Sequence, residues 1–155
     1  MALNEGILVG SSSATMVLIH SETIPSMFVP IRPFRVNAGS PHAYILMANQ
    51  STKYLSELKT GDQVLAVNFN GTTRPIVLGK IKIEPRPMLK VSLVHTGMEN
   101  ETNVFIQQAE TERLVGKNGE CKSVTDLGVD DVVIGRCGYC AWHLGNVISI
   151  HVEER

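Results

Sequence analysis

The feature that most constrains the fold of this chain is the form of its apolar segments. They are short, rich in β-branched residues, and interrupted by Gly, Pro, Asn and Ser. Segments of this kind are typical of the strands of a barrel or sandwich. No stretch repeats apolar residues at the spacing of an amphipathic helix, and only residues 55–58 and 125–128 suggest single helical turns. We therefore predict a mainly β fold of small barrel-like or sandwich modules, with little helix.

Alternation and turn residues locate some of the predicted strands. Residues 80–84 and 89–93 alternate between polar and apolar side chains, and the proline-containing segment 85–87 separates them. Each is predicted to be a strand with one buried face. The Asn-Gly pairs at 70–71 and 118–119 lie between β-prone segments. They predict hairpin turns of type I′, because both central residues of that turn need a positive φ, which Asn and Gly tolerate.

A weak internal repeat relates residues 53–64 to residues 122–133, an offset of 69 positions. Four identities carry it: Lys53, Leu58, Asp62 and Val64 recur as Lys122, Leu127, Asp131 and Val133. Each copy is predicted to run from a strand through a one-turn helix and a tight turn into a buried strand. The same pattern is also a common way to enter a strand, but two similar packed modules explain it better.

The repeat and the polar motifs suggest a division of the chain. We predict an N-terminal β segment, 1–52, that carries the polar motifs, and a β-barrel-like domain, 53–155, that carries the repeat. A chain of 155 residues with 43% hydrophobic and 19% charged residues can bury a globular core.

Charge and cysteine content limit the partners and the location. The net charge of −1 provides no overall field for nucleic acid or anionic lipid, so neither is an expected partner. The longest apolar run, residues 14–19, is far too short to span a membrane. Three cysteines suit a reducing compartment, and no targeting segment is evident. We expect a cytoplasmic protein, or a plastid one if the source is a photosynthetic eukaryote.

The densest polar region of the sequence is 20–44, and it contains two arginines close together. Arg32 and Arg35 offer planar, permanently charged groups suited to a carboxylate or phosphate, and neighbouring prolines would hold their backbone. Asn37 adds a hydrogen-bond donor. An isolated arginine pair is more often a solvated face or a structural ion pair. The surrounding polar residues favour an anion clamp here.

Two histidines in the same region are candidates for proton transfer. His20 ends an apolar strand and Glu22 lies two positions on, so in extended chain both side chains project to one face. They could act as a base and its orienting partner. His42 and Tyr44 have the same spacing and could supply a general acid and a phenolic donor. A single histidine is usually structural, but this grouping predicts that His20, Glu22 and His42 share one exposed cleft wall with the two arginines.

Three further groups of residues are weaker candidates. Residues Gly10, Ser11 and Ser12 follow a strand, and their backbone N–H groups could cradle phosphate, although the motif taken by itself favours a structural turn. Glu110 and His143 lie beside predicted strands and could contact a substrate, or could be a rim charge and a turn histidine.

The cysteines allow a metal site but do not predict one. Cys137, Cys140 and His143 could supply three ligands and Cys121 a fourth. A structural zinc site usually has two separated ligand pairs, so small hydrophobic strand cysteines are the favoured interpretation, and no metal is expected.

Six strings of the sequence, taken in order, resemble the type II 3-dehydroquinate synthase family, an archaeal-type family also found in plants and other lineages. They are GILVGSSS at 6–13, VLIHSE at 17–22, RPFRVNAG at 32–39, HAY at 42–44, YLSELKTGD at 54–62 and QAET at 108–111. The resemblance covers nearly the whole chain and corresponds to the C-terminal half of the family's members. A missing N-terminal half is therefore an expected partner.

The resemblance implies an NAD-dependent oxidoreductase of the shikimate pathway, which leads to chorismate and the aromatic amino acids. The implied reaction is the oxidative deamination of 2-amino-3,7-dideoxy-D-threo-hept-6-ulosonate, followed by aldol cyclisation to 3-dehydroquinate. We expect the isolated chain to be inactive, and a homo-oligomer is allowed. The alternative is a non-catalytic β-barrel module that binds a ligand or partner.

The implied chemistry assigns roles to the candidate residues. Catalysis is assigned to His20, Glu22, His42 and Tyr44; substrate binding to Arg32, Arg35, Asn37, Glu110 and His143; NAD binding to Gly10, Ser11 and Ser12.

Overall fold

The structure, a computed structural model, describes residues 5–12, 15–22, 36–95, 101–109, 112–116, 119–128, 131–137 and 146–154. At residues 12, 94–95, 101–102, 136–137 and 146–154 it describes the backbone alone. The described residues form twelve strands: β1 Glu5–Ser12, β2 Thr15–His20, β3 Tyr44–Leu46, β4 Thr52–Tyr54, β5 Gln63–Asn68, β6 Thr73–Val77, β7 Met88–His95, β8 Glu101–Gln107, β9 Arg113–Val115, β10 Cys121–Ser123, β11 Val132–Cys137 and β12 Asn146–Glu154. Two one-turn 3-10 helices, Leu55–Glu57 and Val124–Asp126, complete the described elements.

The centre of the fold is the antiparallel hairpin of β1 and β2, in which Leu8 lies opposite Leu18. Every residue of β2 is buried. A strand covered on both faces has no need of polar alternation, which explains the unbroken apolar run Met16–Ile19.

Each strand of this N-terminal hairpin shares its outer edge between two further strands. β1 pairs with β3 near its C-terminal end and with β5 near its N-terminal end. β2 pairs in the same way with β9 and β11. The remaining strands extend the sheet, giving the path β4-β3-β1-β2-β11-β12-β7-β8, with β6 beside β5 and β10 beside β9. Pairing therefore joins β1 to strands on both sides of residue 52, and the predicted division there stays a prediction.

The internal repeat is confirmed and is longer than the segments that predicted it. β3, β4, the first 3-10 helix and β5 recur, shifted by 69 positions, as β9, β10, the second 3-10 helix and β11. Isolated bridges recur as well: Met47 pairs with Val64, and Gly116 pairs with Val133. The positive φ of Gln50 recurs at Gly119. The two copies thus share their backbone hydrogen bonding in detail.

The N-terminal hairpin belongs to the same symmetry. Val9 of β1 pairs with Ile45 of the first copy, and Ile19 of β2 pairs with Leu114 of the second. Residue i of β1 therefore corresponds to residue i + 10 of β2. Because Leu8 and Leu18 are equivalent and also lie opposite each other, a local two-fold axis passes between them.

Two apolar cores lie on the two faces of the N-terminal hairpin. The larger contains Val9, Val17 and Ile19 together with Val91 and Ile106, so it fills the space between the hairpin and strands β7 and β8. The smaller contains Leu8, Leu18, Leu65, Val115 and Ile134. The loop 36–40 also packs on β8, since a Cβ on Gly39 would lie 2.5 Å from the carbonyl oxygen of Phe105.

The predicted fold class is confirmed: the chain is mainly antiparallel β, with an internal repeat, and the helices among its described residues are single turns. Both predicted helical turns are present, as 3-10 helices. The strand pairings among the described residues do not close into a barrel. In the described part of the chain, no helix has the length and apolar character needed to cross a membrane.

Two local predictions were wrong. Residues 80–84 are not a strand, and they pair with no strand among the described residues. The turn at 70–71 is a hairpin turn, but of its two residues only Gly71 has a positive φ, at 92°. With Gly71 N–H donating to the Asn68 carbonyl, the turn is a type I turn followed by a glycine bulge. Gly119 has a φ of 84°, while Asn118 lies outside the described residues.

Candidate functional site

A group of polar side chains is buried where β2 ends. This buried polar cluster consists of Glu5, His20, Ser21, Glu22 and Glu112, each no more than 7% exposed. The backbone brings them together: Ser21 N–H donates to the Glu5 carbonyl, and β9 runs alongside β2 from the Ile19–Leu114 pair. Buried charges are costly unless they are paired or functional, so this cluster is the candidate site.

His20 is almost completely buried, and its ring has a defined tautomer. Nδ1 lies 2.6 Å from the carbonyl oxygen of Ser21. A carbonyl oxygen only accepts, so Nδ1 carries the proton and Nε2 of the neutral ring presents a lone pair. Burial lowers the pKa of His20 below its ordinary value; the hydrogen bond to Ser21 opposes this shift, and the positive charge of Arg113 adds to it. At neutral pH the ring is a neutral base.

Glu22 is oriented by a side chain that the sequence also singled out. Asn37 Nδ2 donates to Glu22 Oε1 at 2.9 Å. Asn37 belongs to the loop that packs on β8, so this amide is held by the larger core. The structure therefore places Asn37 with Glu22, next to His20 in the chain.

Glu112 and Arg113 are polar residues of the site that sequence reasoning missed. β2 and β9 are antiparallel and Ile19 pairs with Leu114, so the next residues along the two strands, His20 and Arg113, lie beside each other. No motif or unusual spacing marks 112–113. The signal was in the repeat, because the offset of 69 aligns Ala43-Tyr44 with Glu112-Arg113 and so exposes a change from neutral to charged side chains.

The other predicted catalytic pair lies at the opposite end of the N-terminal hairpin. Tyr44 pairs with Gly10, and its ring stacks on that of Tyr54 with centroids 4.5 Å apart and hydroxyls 2.8 Å apart. That hydrogen bond raises the pKa of Tyr44 above its ordinary value. His42 is exposed in the preceding turn, where its backbone N–H donates to Ser40 Oγ. His20 and Glu22 are thus buried while His42 is exposed, so these three residues do not lie on one exposed cleft wall as predicted.

The predicted phosphate cradle at 10–12 is part of β1. Gly10 pairs with Tyr44 and Ser12 with Thr15, the β1–β2 register is irregular between Val9 and Ser12, and the Ser11 side chain is exposed. Their role in binding a cofactor stays a prediction.

Several candidates cannot be placed. Arg32, Arg35, Glu110, His143 and Cys140 lie outside the described residues, and the side chain of Cys137 is not described. Cys121 is half-buried, and burial raises the pKa of its thiol. Among the residues with described positions, no group of three His, Cys, Asp or Glu side chains could hold a metal ion.

A shallow cleft of about 320 Å³ lies beside β4 and β5 and contains Lys53 and Asp62. Its charges have a structural explanation. Asp62 Oδ2 accepts from Lys59 N–H and from Lys53 Nζ, and the second copy repeats both bonds at Asp131. Because the same arrangement occurs in both copies, it closes a turn and does not mark a ligand site.

Comparison with known proteins gives a match over the full chain. Residues 1–155 match the family model described as the 3-dehydroquinate synthase II C-terminal domain. The 3-dehydroquinate synthases of Methanococcus maripaludis strain C5, Methanocaldococcus jannaschii and Methanothermobacter thermautotrophicus are 47%, 44% and 43% identical over 155 residues. These alignments cover 100% of this chain but only 42%, 42% and 41% of those relatives, so the chain spans less than half their length. No solved structure matches.

Proposed function

The chain belongs to the 3-dehydroquinate synthase II family, and from this premise we propose that it is the C-terminal part of an NAD-dependent 3-dehydroquinate synthase. The observation that carries the proposal is the full-length match to the family's C-terminal domain. The substrate is the amino-heptulosonate named above. NAD, when bound, would supply the hydride acceptor for the oxidative deamination of this amine; ammonia is released, and the resulting dioxo acid closes to 3-dehydroquinate by an intramolecular aldol step.

The reaction needs a base at two points, and the buried polar cluster offers one. A proton must leave the ammonium group before oxidation, and another must leave carbon before the aldol closure. The Nε2 lone pair of the neutral His20 ring fits both tasks. Glu22, fixed by Asn37, fits the stabilisation of a histidine that has just accepted a proton. Tyr44 and His42 remain proposed donors at the other end of the hairpin.

The described residues do not form a complete dinucleotide site. Residues 10–12 belong to β1, where Gly10 and Ser12 have strand partners, and the helices among the described elements are single 3-10 turns, too short to give the helix N-terminus that often binds pyrophosphate. Relatives are more than twice as long as this chain. We therefore assign part of the cofactor site to the portion that relatives have in addition, and we expect the isolated 155-residue chain not to turn over.

An NADH assay tests the proposal. A protein carrying this chain at full family length should form NADH and ammonia from the amino-heptulosonate and NAD, whereas the 155-residue chain alone should not. His20→Asn keeps a donor for the Ser21 carbonyl but removes the titratable base, so it should lower turnover about 10²- to 10⁴-fold while the protein stays folded. A folded full-length protein without turnover would instead support a non-catalytic binding module.

A further inference from the structure

The internal repeat provides a comparison within one molecule. Positions 44 and 113 are equivalent: each begins a three-residue strand, and each of those strands pairs with one strand of the N-terminal hairpin. Their cross-strand partners are equivalent too, since Tyr44 faces Tyr54 and Arg113 faces Ser123. The same backbone is thus built around tyrosine in one copy and arginine in the other. Folding alone therefore does not require an arginine at position 113.

Arg113 has an unusual environment for an arginine. The residue is half-buried, and its Nη1 is fully buried with no hydrogen-bond partner in the described part of the chain. A buried donor without a partner destabilises the folded protein, and the cost is greater when the group is charged. Two other arginines among the described residues do have partners for their guanidinium groups. Arg74 binds Glu5 through two nitrogens, and Arg86 binds Glu84.

The positive charge of Arg113 affects the protonation of two neighbouring side chains, His20 and Cys121. The ring of His20 is neutral, and the nearby Arg113 charge helps to keep it so. The same charge opposes the burial effect on the Cys121 thiol by favouring its anionic form. Arg113 therefore contributes a potential that favours an anion on this side of β9, whereas Glu120 acts in the opposite direction on the Cys121 thiol.

We propose that Arg113 is a substrate-binding residue that holds a carboxylate of the ligand beside the His20 ring. A carboxylate is an acceptor-only group that an arginine binds through paired N–H donors, so it would satisfy the buried Nη1. This deepens the proposed function, on which it rests, by naming a further residue that binds the substrate's anionic group. It also sets the acid group of the substrate next to the base.

The test uses binding and not turnover, so its outcome is separate from that of the NADH assay. Acetate is titrated into the 155-residue chain at constant ionic strength set with sodium chloride, and the His20 ring signals are followed by NMR. We expect a saturable shift and a rise in the pKa of His20 as acetate screens the arginine. Arg113→Tyr places in the second copy the residue that the first copy carries, so it should fold and should weaken acetate binding at least about tenfold.

Arg86→Met is the matched control, because it removes the same charge from an exposed position in another part of the chain. It should bind acetate like the unaltered protein. Arg113→Met provides a second variant in case tyrosine is poorly accommodated, and thermal unfolding of each variant reports whether it is folded. Equal acetate binding by the unaltered protein and a folded Arg113 variant, or no saturable binding by the unaltered protein, would overturn the proposal.

Discussion

At the scale of single residues, Gly6 shows how closely the two strands of the N-terminal hairpin approach. It lies opposite His20, and a Cβ built at this position would lie 1.9 Å from the carbonyl oxygen of Ile19. The obstacle is backbone inside the central sheet, so it cannot move aside as a flexible side chain could. The hairpin that carries His20 therefore depends on a glycine here.

Gly6→Ala should lower the free energy of unfolding by about 2 kcal/mol or more, since overpacking against backbone forces the strands apart. Gly79→Ala is the control, because nothing lies within 4 Å of a Cβ there and no positive φ is recorded. It should change stability by less than about 1 kcal/mol. Urea unfolding of the two variants decides the matter, and similar losses in both would contradict the geometry.

Single residues of the site were predictable where the chain itself marks them. His20 stands out as the polar end of an apolar strand, and Glu22 and Asn37 are polar residues close to it in sequence. Arg113 was not predictable in this way, because its position beside His20 depends on the pairing of β2 with β9. Pairing across so long a sequence separation leaves no local pattern.

At the scale of elements, each copy of the repeat is fastened by a Lys–Asp staple, which joins the strand before the 3-10 helix to the turn after it. In the first copy Asp62 accepts from Lys53 Nζ and Lys59 N–H, and in the second Asp131 accepts from Lys122 Nζ and Gly128 N–H. The backbone N–H bond is the main reason that the pKa of each aspartate is lowered.

Asp62→Asn and Asp131→Asn should each lower the urea midpoint at pH 7. The folded pKa lies below the ordinary value of 3.8, so the aspartates stabilise the fold above that value and lose this contribution as the pH falls through the folded pKa. The difference between each variant and the unaltered protein should therefore shrink at low pH. Asp126→Asn, at an exposed position of the second 3-10 helix, is the control and should have little effect. A pH-independent loss would show that the staple does not depend on ionised aspartate.

Elements were predictable when their signals were complete in the local sequence. The 3-10 turns and their following buried strands were found because both copies repeat the same residues. The strand predicted at 80–84 was wrong, because alternation indicates which face a strand would bury but does not show that a neighbouring strand is present to pair with it. There Glu84 binds Lys82 and Arg86, and this holds its pKa at about 2. The charged side chains of this segment therefore pair with one another, and its backbone forms no strand pairing among the described residues.

At the scale of the whole molecule, neither copy of the repeat is complete without the N-terminal hairpin. The first copy pairs with β1 and the second with β2, and those two strands pair with each other. The two copies should therefore unfold together in one transition. The mainly β class followed from sequence, but this arrangement did not, because 5–12 and 15–22 share too few residue types to show their equivalence.

Leu8 and Leu18, which face each other across the local two-fold axis, test this cooperativity. Both are fully buried in the smaller core. Leu8→Ala and Leu18→Ala should each cost about 2–5 kcal/mol, and the double variant should cost less than their sum because the two side chains are neighbours. Val77→Ala, at a 66% exposed position, should change stability by less than about 0.5 kcal/mol. Two separate unfolding transitions would show that the copies fold independently.

The position of the N-terminal hairpin also fixes the order in which a ribosome can complete this fold. β1 and β2 leave the exit tunnel before the strands that pair with their outer edges, which are β3, β5, β9 and β11. Val17, for example, can form its pair with Gly135 only after residue 135 has been synthesised. Until then, the outer edge of β2 exposes unpaired backbone groups of the kind that invite pairing with other chains. Contacts so distant in sequence also form slowly. The protein therefore completes its central sheet late in synthesis or after it, and the open edge of β2 is the point most exposed to misassembly during that interval.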